Sequence, residues 1–159
     1  MQVIETTVYT FDELNDKAKE RARDWWRGIG EFPWFDEYQA SLNAFCDKFN
    51  IRITDCYLSN CYRASVSTDA MPSHFRGLKL KQIDRTEMLT GFTADCSLMF
   101  EFHDVFKKTG NALYAFEQAI EQFLIDLRND IDSTYEDDYV DETLTANAYT
   151  FTEDGKVFP

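Results

Sequence analysis

The side chains best suited to metal or nucleophile chemistry are the four cysteines, Cys46, Cys56, Cys61 and Cys96, and the two histidines, His74 and His103. Cys56, Cys61, Cys96 and the histidines could offer thiolate and imidazole ligands to zinc. Structural zinc sites pair their cysteines as C-x₂-C, whereas Cys56 and Cys61 are a C-x₄-C pair across an expected hairpin turn and the other candidates are scattered. A Cys/His nucleophile needs a third group to orient the base and donors for an oxyanion, and no spacing here gathers them. The chain has no G-x-x-x-x-G-K run, and Gly28-Ile29-Gly30 continues as Glu31-Phe32-Pro33 without the third glycine of a dinucleotide turn. Asp130-Ile131-Asp132 opens like a calcium loop, but Tyr135 stands where the sharp turn needs glycine. These residues point to no catalytic group, no metal and no cofactor, and the expectation is a non-enzymatic protein.

What the chain has in abundance is carboxylate: 29 Asp and Glu against 16 Lys and Arg, a net charge of -13. The densest run is Glu136, Asp137, Asp138, Asp141 and Glu142, with Tyr139 among them and no basic residue between. A run of one sign costs repulsion unless water or a partner relieves it. In the first turn of a helix each such carboxylate is favoured by ~0.3 to 1 kcal/mol, so a structural reading stands beside the functional one. The functional reading makes Glu136, Asp137, Asp138, Tyr139, Asp141 and Glu142 a partner-binding site. Their carboxylates would meet a basic protein surface, including one built to hold nucleic acid, because they can occupy lysines and arginines evolved for phosphates. The same charge argues against direct binding of nucleic acid or an anionic membrane.

The positioning elements follow from periodicity. Hydrophobic residues at 44% and aromatics at 16% call for a packed core, and 159 residues suit a single domain spanning 1–159. Gln2 to Tyr9 read as a strand, and Thr10 with Glu13 as a T-x-x-E box opening a helix at Phe11, whose apolar face runs Phe11, Leu14, Ala18, Ala22, Trp25 and Ile29. After Pro33, the spacing of Phe35, Tyr38, Leu42, Phe45, Cys46 and Phe49 predicts a second helix, paired with the first as an antiparallel hairpin. Ile51 to Val66 alternate as a β-hairpin turning near Ser59-Asn60. Pro72 to Arg85 is a basic island, with Leu78 and Leu80 alternating as in an edge strand or extended loop, able to pair with the acidic end. Ala94 to Thr109 fits both periods and is assigned as helix with Asp95 as a cap. The long helix from Gly110 to about Ile131 buries Phe116, Ile120, Phe123, Leu124, Leu127 and Ile131, and Ser133 with Glu136 predicts a break before a short last helix. Asp154-Gly155 predicts a closing hairpin turn. The expected fold is α+β, three to four helices on one small, mainly antiparallel sheet in which the two chain ends pair. Met1 to Glu5 lack a basic, then apolar leader, and the expected location is cytoplasmic.

Two stretches carry a resemblance: Tyr9 to Leu14 continued by Asp16 to Trp25, and Val140 to Thr143 through Ala146-Asn147 to Phe151–Lys156. They resemble small acidic phage and prophage proteins, some labelled antitoxins. The resemblance covers about a third of the chain and transfers no catalytic residue. It implies a phage or mobile element in a bacterial host cell. There a small acidic protein would inhibit a nucleic-acid-handling defence complex, of the anti-CRISPR or anti-restriction type, or as an antitoxin would mask a cognate toxin.

Overall fold

The computed structural model describes residues 6–30, 32–59 and 64–158. Among them the fold is α+β, with five α-helices and two small antiparallel sheets. The chain order is β1 (Tyr9–Thr10), α1 (Asp16–Ile29), α2 (Phe35–Lys48), β2 (Ile53–Tyr57), β3 (Ser65–Thr68), α3 (Thr93–Thr109), α4 (Ala112–Ser133), α5 (Asp137–Ala146), β4 (Thr150–Phe151) and β5 (Val157–Phe158). Two compact units divide it: the two chain ends up to residue 31 and from 131 form one, and residues 32–130 form the other. None of these helices is long and apolar enough to cross a membrane.

In the unit of the chain ends, Thr10 and Glu13 do interact, the Thr10 N–H donating to Glu13 Oε2 at 2.8 Å. That bond closes only a 3-10 turn at Phe11–Glu13, and Leu14 returns to extended backbone. The helix itself starts at Asp16, five residues later than expected, because Asn15 caps it by accepting from the Ala18 N–H at 3.1 Å. The strand is also shorter than Gln2 to Tyr9. Residues 2–5 of that expectation lie outside the described residues, Thr6 to Val8 are not in a strand, and β1 is Tyr9–Thr10. The ends do pair: β1 joins β4 antiparallel, Tyr9 opposite Phe151, and β4 joins β5 across the Asp154-Gly155 turn, in the order β1-β4-β5. Phe11, Leu14, Ala18, Ala22, Val140, Leu144 and Phe151 bury together beneath this sheet, α1 and α5, whereas Ile29, expected on the apolar face, is 55% exposed. Gly155 has φ +80°, and a Cβ there would lie 2.1 Å from the Ala18 carbonyl oxygen, so the C-terminal turn rests directly on the α1 backbone.

In residues 32–130 an aromatic core joins α2, α3 and α4. Phe45 stacks on Phe116 at 5.1 Å, Phe49 meets Phe102 at 4.7 Å, and Tyr38 meets Phe123 at 5.4 Å. The ambiguous stretch after Ala94 is helical, its Leu98, Met99 and Phe102 fully buried. Its cap position is Phe92, while Asp95, buried in the first turn, accepts from the N–H groups of Thr90 at 2.6 Å and Gly91 at 2.9 Å. Burial alone would raise the Asp95 pKa, and those bonds outweigh it and hold the carboxyl below its ordinary value.

Several expectations are corrected. The helix count is five rather than three or four, and the central hairpin β2–β3 forms a sheet of its own instead of joining the terminal strands. Within its own unit α1 packs on α5, and within residues 32–130 α2 packs on α3. The basic island contains two 3-10 turns, Pro72–Phe75 and Leu80–Gln82, and no strand. The N-cap of α5 is Glu136, whose side chain makes no cap hydrogen bond, and the break before the helix is present.

Candidate partner-binding face

The acidic run lies on α5 and at its N-cap, and helix geometry sorts it into two stripes. Asp137 and Asp141, one turn apart, face α1, where Arg23 and Arg27 have the same spacing. Arg23 donates from Nε and Nη2 to the two carboxylate oxygens of Asp141, each at 2.7 Å, a bidentate fork. Arg27 donates from Nη2 to Asp137 and from Nε to the Tyr135 carbonyl at 3.0 Å. Glu20, one turn earlier on α1, accepts from Arg23 at 3.1 Å. The Arg23 side chain is 17% exposed, and its bonds to Asp141 hold its pKa above the ordinary value.

The second stripe is different. Glu136, Asp138 and Glu142 are exposed, and none has a cation within salt-bridge distance among the described residues. Asp138 and Glu142 stand four residues apart on the outward side of α5. Tyr139, between the stripes, is half-buried, and its carbonyl accepts from Thr143 Oγ1 at 2.7 Å. Of the neighbouring aromatics, Phe151 is core, Tyr149 packs edge-on to Trp25 at 5.4 Å, and Tyr135 is half-buried.

The six site residues expected from the sequence thus share one short helix and its cap but not one role. Asp137 and Asp141 join α5 to α1, and Glu136, Asp138 and Glu142 are left to solvent. Sequence reasoning missed Arg23 and Arg27, placing the compensating charge on the basic island instead. In the structure, Arg85 of that island pairs with Asp104 at 2.9 Å. The available signal was the i, i+4 spacing of two arginines opposite two aspartates at the same spacing, which becomes informative only once α1 and α5 are known to be neighbours.

The candidate metal ligands stay apart in their own local arrangements. Cys56 donates to Gln39 Oε1 at 3.2 Å, Cys96 lies 3.3 Å from the Met88 sulfur, His103 Nδ1 is 2.9 Å from Asp104, and the Met71 N–H donates to His74 Nδ1 at 3.0 Å. Cys61 lies outside the described residues, among which no three His, Cys, Asp or Glu gather around a common point. Among the described cysteines Cys46 is the buried thiol. Burial pushes its pKa up to about 12 and raises that of Cys56, which keeps both protonated at neutral pH.

Comparison with protein-family models, curated proteins and solved structures finds no match to this chain.

Proposed function

We propose that this chain is a non-enzymatic acidic binding protein that occupies a basic, nucleic-acid-handling surface of a partner protein. The observation that carries the reading is the set of exposed acids Glu136, Asp138 and Glu142, which among the described residues have no cation partner, while Arg23 and Arg27 take Asp141 and Asp137. A fold that seats two of its five clustered acids against arginines and leaves the other three in water presents charge at the surface where it can act across a gap. In the phage or mobile-element setting that the resemblance implies, the partner is a host defence complex whose lysines and arginines otherwise hold DNA or RNA.

A tagged chain, mixed with host lysate at low salt, should capture a basic nucleic-acid-binding protein. It should release that protein when ionic strength rises to about 1 M, where the Debye length falls to roughly 3 Å. Added nucleic acid should displace the chain as well, because both compete for the same cations. Capture indifferent to salt and to nucleic acid would point instead to an apolar interface and contradict the proposal.

A further inference from the structure

A second surface, within residues 32–130, has the opposite character. An open groove of about 430 Å³ runs between the 3-10 turn at Pro72–Phe75 and the turn from α3 into α4, with the apolar Pro72, Phe75, Leu78, Phe106 and Leu113 and the polar Asn111 in its lining. Gly110, with φ +69° in the left-handed region, ends α3 and forms part of the wall. Leu78, Phe106 and Leu113 are half-exposed along the groove, and at its margins Met71 is 59% and Tyr114 44% exposed.

The charge around it departs from the rest of the molecule. Between Asp69 and Asp84 the chain has no acid and carries Arg76, Lys79 and Lys81; between Asp104 and Glu117 it again has no acid and carries Lys107 and Lys108. Arg76 and Lys79 flank the lining Leu78, and Lys107 directly follows the lining Phe106. All five cations are exposed, and none has a carboxylate partner among the described residues. Of the other described cations, Arg21, Arg23, Arg27, Lys48, Arg52, Arg85 and Lys156 are ion-paired within the chain, and Lys17, Lys19 and Arg128 are not. In a protein of net charge -13, five cations without carboxylate partners among the described residues, carried on the two segments that form one groove, favour anions there.

We infer that the groove lined by Phe75, Leu78, Phe106 and Leu113 docks an acidic peptide segment of a partner protein, one apolar side chain entering the groove while flanking carboxylates meet Arg76, Lys79 and Lys107. Apolar side chains that can take an anchor, with polar groups around them, are the anatomy of a peptide anchor site. The site is independent of the acidic face on α5 and takes a ligand of the opposite charge.

The test uses the full chain and a short fluorescent peptide of Asp and Glu with a single central Phe, read by anisotropy. Saturable binding is expected, weakened roughly tenfold or more when Ala replaces the peptide's Phe, as loss of one buried aromatic side chain implies. Lys79→Glu with Lys107→Glu should weaken it by about tenfold or more, and the milder Lys79→Gln with Lys107→Gln by less. A control reversal, Lys17→Glu with Arg128→Glu, should leave it unchanged. All four positions are exposed, so the variants should melt like the parent. The inference is overturned if the Phe and Ala peptides bind alike, or if control and groove reversals weaken binding equally. It is also overturned if a single-stranded oligonucleotide or a phosphatidylserine vesicle displaces the peptide in preference to other acidic peptides, since the surface would then serve phosphates. Self-association in sedimentation that the groove reversal abolishes would assign the groove to a second copy, which likewise contradicts it.

Discussion

Asp141 is the residue on which the two readings of the acidic run separate. As a helix-dipole complement it would be interchangeable with its neighbours, yet it alone accepts a two-pronged bond from a mostly buried Arg23. Asp141→Asn keeps the shape but removes the charge and one acceptor of that fork. It should cost about 1 to 2 kcal/mol, the strength of a charge-assisted bond reduced for partial exposure, seen as a lower denaturant midpoint. Asp138→Asn, on the outward stripe, should leave that midpoint within roughly 0.5 kcal/mol. Gly155 is the other single residue that the fold depends on. Gly155→Ala forces an L side chain into φ +80° and drives its Cβ into the Ala18 carbonyl. It should destabilise by at least ~1 to 3 kcal/mol from backbone strain, with the clash in addition, and calorimetry would read this as a lower melting temperature.

Among the elements, α4 carries the most buried apolar surface, its Ala115, Phe116, Ala119, Phe123 and Leu127 all at 1% exposure or less. Phe123→Ala should cost roughly 3 to 5 kcal/mol, and an unchanged denaturation midpoint would mean that this stripe is not core. The flanks of α4 divide in function: Asp126 accepts from Ser97 and Gln122, Asp130 accepts from the Tyr38 hydroxyl, and Glu117 and Asp132 face water. Burial, with Asp130 beside it, pushes the Tyr38 phenol above its ordinary pKa. Helical periodicity made α2, α4 and α5 legible in the sequence, because a stripe that repeats over three or more turns has few other solutions. The start of α1 was not legible, because a T-x-x-E box closes a single 3-10 turn as readily as it opens an α-helix, and Asn15 was the stronger cap. Nor could alternation within β2 and β3 show that they pair only with each other, since strand period reports which face is covered and not which strands are neighbours. The acidic helix itself was readable as the candidate site. Its division into paired and unpaired stripes was not, because that depends on α1 lying beside α5, a contact between residues more than a hundred apart in the chain.

For the whole molecule, the two stretches that carry the resemblance, Tyr9 to Trp25 and Val140 to Lys156, fall in the same compact unit, where they share a sheet and a core. The intervening unit holds the aromatic core and the basic groove. Among the described residues, exposed acids without an ion pair cluster at Glu136, Asp138 and Glu142 in the first unit, and five exposed cations without one lie along 76–108 in the second. We propose that the first of these, by position and not by bulk charge, carries partner binding. The most direct test compares two triple reversals in quantitative pull-downs from host lysate: Glu136→Lys, Asp138→Lys and Glu142→Lys against Asp12→Lys, Asp16→Lys and Glu117→Lys. Both sets change exposed acids that make no ion pair among the described residues, and both shift the net charge equally. The α5 reversal should lose the proposed nucleic-acid-handling partner, while the control, folded and equally charged, should retain it. Equal loss from both would reduce the effect to net charge, and retention by both, with each variant melting cooperatively, would contradict the claim.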